Sequence, residues 1–216
     1  MRKSIALLFP LICMSLFINA QIRKGSILLG GQISSYNSTI DYSTNQKSQK
    51  NNSSTFNVSV GKAFKENSVV GLTLAFNLSN FSYSFNNYIK TKQRFYSLGV
   101  YDRQYKKLAK DLYFFTELGA AYVFSTQMDT DTLGTKLNTS RGSGGQLNIT
   151  PGVSYKICKK LNLEISIPNI INVQYSVTKN ETISLPQNSV EKRFSISTNL
   201  TSSFVNNLGI GFRLIL

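Results

Sequence analysis

The sequence predicts an all-β protein, an eight-stranded antiparallel up-and-down transmembrane β-barrel, and three observations carry that prediction. Apolar and polar residues alternate in eight extended segments, no long apolar run follows residue 20, and the connections alternate between long and short. In Leu161 to Val177 the odd positions Leu161, Leu163, Ile165, Ile167, Ile171, Val173, Tyr175 and Val177 are apolar, and Asn169 is the exception. Even positions include Asn162, Glu164, Ser166, Asn172, Gln174 and Ser176. Successive strand residues point to opposite faces, so such a strand suits a wall between lipid and a polar interior.

The predicted strands are Gly25 to Tyr36, Thr55 to Phe64, Val69 to Phe81, Gln93 to Tyr105, Leu112 to Phe124, Gln146 to Ile157, Leu161 to Val177, and Arg193 to Leu216 with an interruption. Long connections run from Asn37 to Ser54, Ser82 to Lys92, Ser125 to Gly145 and Thr178 to Lys192. Lys65 to Ser68, Lys106 to Asp111 and Cys158 to Lys160 form the short ones. Outer-membrane barrels have this asymmetry, with tight periplasmic turns and longer external loops. An even strand count puts both termini of the barrel on the periplasmic side.

Ahead of the strands, Arg2 and Lys3 precede an apolar stretch from Ile5 to Ile18 and a small-residue site at Asn19-Ala20. This pattern predicts a secretory signal peptide at 1–20 and a barrel domain at 21–216. The apolar stretch is shorter than the ~20 residues a helix needs to cross a bilayer. Cys13 follows Ile12, where a lipoprotein signal calls for a small residue. Cleavage leaves Cys158 as the one cysteine of the mature chain, so no intramolecular disulfide forms.

The chain has no histidine, which argues against a His-containing triad and typical zinc sites. Its 24 Lys and Arg against 10 Asp and Glu give +14, or +12 without Arg2 and Lys3. These cations are scattered singly, with no compact patch or nucleic-acid module. Anionic headgroups and lipopolysaccharide phosphates are the better-matched neighbours, and nucleic acid is not an expected partner.

The two faces follow from the alternation. Leu147, Ile149, Pro151, Val153, Tyr155 and Ile157 oppose Gln146, Asn148, Thr150, Gly152, Ser154 and Lys156, and in the last strand Leu208, Ile210, Phe212, Leu214 and Leu216 oppose Gly209, Gly211 and Arg213. The apolar set is assigned to lipid. The same periodicity also fits a soluble sandwich or lipocalin-like barrel with its apolar face inward. Against that stands an inner face of Gly, Ser, Thr and Asn with isolated charges, short of large residues to fill a core. Aromatics also gather near strand ends as interface girdles: Phe64, Tyr105, Tyr113, Phe114 and Tyr155 toward the turns, and Tyr36, Phe81, Phe95, Phe124 and Tyr175 toward the loops.

The signal ending in Asn19-Ala20-Gln21, the strand from Leu112 to Tyr122, the segment from Ile149 to Tyr155 and the closing stretch from Leu208 to Arg213 resemble the small outer-membrane β-barrel family common in Bacteroidetes. The resemblance covers essentially the whole mature chain. It implies an eight-stranded barrel inserted by the outer-membrane assembly machinery, which reads the final strand. The chain departs from the commonest pattern by ending in Leu216; Phe212 supplies aromatic character nearby.

An eight-stranded barrel has an interior just wide enough for side chains. Glu164 lies three residues after the turn-side start of its strand and Arg213 three before the carboxyl end, which sets them at similar depth. Glu117 is also inward, with Arg103 and Lys156 available on either side, although Asp102 and Gln104 blur the alternation at Arg103. The expectation is a lumen network of Arg103, Glu117, Lys156, Glu164 and Arg213, since an unpartnered charge is costly in so narrow an interior. It reads more readily as a plug than as a gate.

Other motifs do not complete a site. Asp129 to Gly134 resembles the start of a calcium loop, but Leu133 takes a ligand position and Ser140 stands where a bidentate Glu is needed. Arg141 to Gly145 is glycine-rich without the ending of a phosphate loop, and both stretches read as flexible loop tips. The expected protein is a non-catalytic, monomeric outer-membrane barrel with no cofactor or metal, a plugged lumen and loops that make surface contacts. The alternatives are a narrow channel for ions or small solutes, favoured by small lumen residues such as Gly30, Gly61, Gly71, Gly99, Gly119 and Gly152, and more distantly a soluble periplasmic lipid-binding barrel.

Overall fold

Apolar alternation over the strands closes on itself in the computed structural model, which describes residues 22–42, 47–84, 88–131, 133–182, 188–198 and 208–216. The expected signal peptide and the stretch 201–207 lie outside these. Ten strands occur in order: β1 (Ile27–Tyr42), β2 (Lys47–Lys65), β3 (Ser68–Ser84), β4 (Tyr88–Lys107), β5 (Leu112–Thr130), β6 (Lys136–Cys158), β7 (Leu161–Ser166), β8 (Ile171–Thr182), β9 (Asn188–Thr198) and β10 (Gly209–Ile215). Antiparallel pairs join β1 through β7 in sequence, then β10 to β7 and to β1, which completes a ring. β8 continues β7 alongside the upper part of β6, and β9 pairs with β8. The ten strands therefore make eight staves, with the last two broken.

The break in the seventh stave explains Asn169. Gly152 faces Ser166 and Ile149 faces Ile171, so three steps along β6 meet five along the seventh stave. Two extra residues leave the alternation in phase, and apolar residues remain outside on both halves. Asn169 adopts a left-handed φ of 54° at this bulge, a conformation Asn tolerates better than most residues. The eighth stave closes through seven residue pairs, from Leu28–Ile215 to Ser34–Gly209. Beyond Ser34, β1 pairs with β2 alone among the described residues, and β9 with β8 alone.

The long connections expected from the sequence are largely strand. Residues 37–42 pair with 47–52, and Ser125 to Thr130 pair with Lys136 to Gly142. The glycine-rich stretch from Arg141 to Gly145 is likewise not a loop tip: it lies within β6, paired on both sides. Asp131 does sit at a hairpin tip, where its Oδ1 accepts from the amides of Leu133 and Thr135. β6 is 23 residues long, whereas about 9–11 tilted residues cross the hydrocarbon. The excess projects from one end of the barrel with both faces wet, so its sequence loses the one-sided apolar signal.

The outer face carries an apolar belt bounded by aromatic rows. Phe56, Phe76, Tyr96 and Phe124 follow one another across four adjacent strands, and Tyr122, Gly145, Tyr175 and Phe194 form a second row across the next staves. All seven aromatic side chains except Phe76 are exposed on the outside, and Phe76 stacks against Tyr96 at 5.0 Å between ring centroids. Phe64, Phe114, Tyr155 and Phe212 are exposed toward the other end. Aromatic rings of this kind favour the membrane–water interface. Between them lie exposed Val58, Leu72, Leu74, Leu98, Leu147 and Ile210.

Three sequence assignments need correction. Tyr105 and Tyr113 are not girdle residues but buried inside, together with Leu28, Val69, Tyr101 and Phe115. Phe95 lines the interior, and Tyr36 and Phe81 share the inward phase of their strands. The lumen also holds more large apolar side chains than the sequence reading allowed. Most of them cluster at the short-turn end, where Ile22 from the segment before β1 closes the bottom, and Phe95 and Val123 lie farther up the bore. Asn67, in the β2–β3 turn with φ 58°, holds Ile22 by donating its amide to the Ile22 carbonyl and accepting from the Ile22 amide.

Candidate functional site: a closed lumen with a polar well

Four of the five charged residues named from the sequence meet in the lumen. Arg103 and Glu117 face one another across β4 and β5, and Arg103 Nε donates to Glu117 Oε2 at 2.7 Å. The other end of the guanidinium donates to Glu164 Oε2 at 2.7 Å. Arg213 Nε donates to Glu164 Oε1 at 2.9 Å, so Glu164 bridges two arginines with its two oxygens. Tyr105 donates its hydroxyl to Glu164 Oε1 and accepts from Arg103, both at 3.2 Å. Two arginines and two glutamates make the cluster neutral. Arg103 and Arg213 are each 3% exposed and Glu164 is 5% exposed. Arg103, which the blurred local alternation marked least clearly, is the hub.

Lys156 stands apart. It faces inward in phase with Ser154 but lies at the turn end opposite Asn162, and no ion pair joins it to the cluster among the described residues. The sequence placed it next to Glu117 by strand adjacency alone, which says nothing about the stagger between strands. Glu117 is opposite Thr150, six residues from Lys156 along β6. Asp102 and Gln104 point outward, where Gln104 Nε2 donates to Asp102 at 3.4 Å.

Aromatic rings missed by the sequence analysis complete the closure. The Arg103 guanidinium lies 4.2 Å from the centroid of the Phe115 ring, within cation–π range. The glycines that suggested a continuous small-residue channel instead make room for these side chains. A Cβ on Gly71 would come within 2.7 Å of the Tyr101 ring, and one on Gly152 within 2.7 Å of the Phe115 ring and 2.6 Å of the Ile165 carbonyl. Gly152→Val therefore overpacks ring and wall together. A loss of about 1–3 kcal/mol in urea unfolding from detergent is the expected result.

Above the cluster the inner wall is polar. Gln32, Asn57, Thr73, Asn148 and Asn169 line a small chamber of about 90 Å³ directly above the ions, with Glu117 at its base. A second, about 300 Å³, and a third, about 420 Å³, follow toward the loop end and share Phe95 and Gln174. On the outside, just beyond the aromatic rows, Arg94, Thr126, Arg141 and Lys179 form one cross-strand row, with Lys92 and Lys192 beside it. These five cations are exposed, as are Glu181 and Glu191 near them.

Closed antiparallel staves with an apolar belt, aromatic rows and a polar interior define a transmembrane β-barrel of the outer-membrane type. No family model matches the chain. No curated protein matches it either. It is similar to the major outer membrane protein of Thermus thermophilus, at 12% identity and TM-score 0.46, covering 88% of this chain and 99% of that one. It is also similar to Ail, the attachment invasion locus protein of Yersinia pestis, at 12% identity and TM-score 0.38, covering 89% and 95%. For Neisserial surface protein A the values are 14% and 0.37, covering 88% and 97%. Such identities and scores leave the assignment to the geometry of this chain.

Proposed function

We propose that the chain is a non-catalytic, monomeric integral outer-membrane barrel, exported by the segment 1–20 and inserted by the outer-membrane assembly machinery. Its role is structural and interactive: a rigid wall in the membrane, loops outside, and a lumen plugged against flow. The observation that carries this reading is the neutral cluster of Arg103, Glu117, Glu164 and Arg213 resting on the Tyr101, Tyr105 and Phe115 rings. Side chains fill the bore, and each buried charge has a partner, which is the condition for keeping charge in a narrow interior.

Gel migration in detergent with and without boiling, followed by planar-bilayer conductance, tests the proposal. Faster migration of the unboiled sample and no resolvable single-channel conductance are expected. Stable ion conductance would overturn the plug and favour the narrow channel instead.

The outer cation row supports lipopolysaccharide as a membrane partner. Arg141 and Lys179 face each other directly, and like charges opposed in a sheet repel unless an anion lies between them. Lipopolysaccharide is expected to raise the unfolding temperature of the protein in micelles, by linkage. In Arg141→Glu/Lys179→Glu that rise is expected to shrink, with little change in the absence of lipopolysaccharide.

A further inference from the structure

The polar well above the plug has a composition unlike the rest of the chain. The protein carries 24 Lys and Arg and 10 Asp and Glu. Yet the charged residues lining the three chambers, among the described residues, are Glu117, Glu191 and Arg193. Glu117 is held by Arg103, and Glu191 pairs with Arg193 at 2.7 Å near the loop end. Between them the wall offers uncharged amides and hydroxyls, Gln93, Gln127, Gln146, Gln174 and Asn172 among them, around the inward ring of Phe95. Each amide supplies both donors and an acceptor, the pairing that a vicinal hydroxyl group needs.

Two further observations mark the well as more than a wet bore. The bulge of the seventh stave turns Pro168 and Asn169 toward the lumen, where Asn169 lines both the lowest and the middle chamber. Its left-handed backbone is held by its own amide donating to Thr150 Oγ1 at 3.1 Å. Backbone held in a sparsely populated conformation recurs at ligand clamps. Beside it, the buried Oδ1 of Asn172 has no hydrogen-bond partner. Part of the wall is already braced for binding, as Thr73 donates to Asn57 at 2.8 Å and Asn77 to Thr55 at 2.7 Å. Together the middle and upper chambers fall in the size range of small-molecule sites.

We propose that this blind well binds a small neutral polyhydroxylated ligand of the mono- or disaccharide class, held by the Asn169 shelf and by Gln174 above it on the same stave. A charged ligand finds no unpaired opposite charge there, and an apolar one would strand the amides. The plug below makes the site a receptor pocket and not a passage.

The test uses the full barrel in nanodiscs, with maltose as the neutral probe and glucose 1-phosphate as the charged one, read by NMR of the Asn and Gln side-chain amides. Saturable shifts with maltose are expected, with glucose 1-phosphate binding at least tenfold more weakly. Asn169→Gly removes the amide and tolerates the left-handed backbone, and Gln174→Ala removes a second amide higher on the same stave. Each is expected to weaken maltose at least tenfold while its heat-dependent gel shift stays as in the parent protein. Shifts already present in nanodiscs containing a digalactosyl lipid assign the sugar to a lipid headgroup, and shifts that require free maltose assign it to a soluble glycan. Absent or non-saturable shifts with both sources, or shifts unchanged in both variants, would overturn the proposal and leave a solvent-filled vestibule.

Discussion

Glu164→Ala is expected to destabilise the folded barrel by about 3–5 kcal/mol, the largest effect of any single substitution considered. Both carboxylate oxygens of Glu164 are in use, one by Arg103 and one by Arg213, and all three side chains are buried. Alanine leaves Arg213 with no carboxylate and Arg103 with Glu117 alone, so the lumen gains an uncompensated positive charge. Urea unfolding in detergent micelles measures the loss. Adding Arg213→Ala restores neutrality, since Arg103 and Glu117 then remain as a pair. The double variant is expected to recover much of the stability, giving a large coupling energy in a double-mutant cycle. Equal losses in the single and double variants would instead show that Glu164 contributes by packing. The design also separates charge balance from the sum of hydrogen bonds, because the double variant makes fewer of them than the single one.

Ile165→Arg is expected to cost about 2–4 kcal/mol of membrane stability, because it sets a charge on the lipid-facing belt. Ile165 is 41% exposed on the outer face between Val153 and Ile210, both of which also point outward. Thr39→Arg provides the contrast. That residue is exposed beyond the apolar belt, where the same charge costs about 0–1 kcal/mol. Refolding into lipid vesicles, with the folded fraction read from unboiled gels, gives both values. Normal assembly of Ile165→Arg would contradict the assignment of this face to the lipid core.

The sequence was most legible where one face touches lipid and the other does not. The alternation from Leu161 to Val177 located the outer face correctly on both sides of a bulge, because the insertion is two residues long. It was least legible above the membrane. Ser125 to Thr130 and Lys136 to Gly142 form a paired hairpin, yet water on both faces removes the apolar period that marks a strand. Inside the lumen, phase identified Arg103, Glu117, Glu164 and Arg213 as inward residues but could not give their depth. Depth depends on strand stagger, which separates Lys156 from Glu117 and brings Arg103 to Glu164. Tyr105 and Tyr113 misled for a related reason. An aromatic at a strand end suits an interface girdle and a buried floor equally well, and only the phase of its neighbours tells them apart.

The seam between β1 and β10 bears on how the barrel comes together in time. Every other stave pairs with a neighbour in sequence, so hairpins can form early from nearby segments, whereas Leu28 meets Ile215 across almost the whole chain. Contacts of such high sequence separation carry a large loop-closure entropy and set slow folding rates. Among the described residues, seven ladder pairs and the reciprocal Ile27–Leu216 hydrogen bonds compensate for that closure. The seam is thus the kinetic bottleneck of assembly and the place where amide hydrogens should exchange first once the barrel begins to breathe.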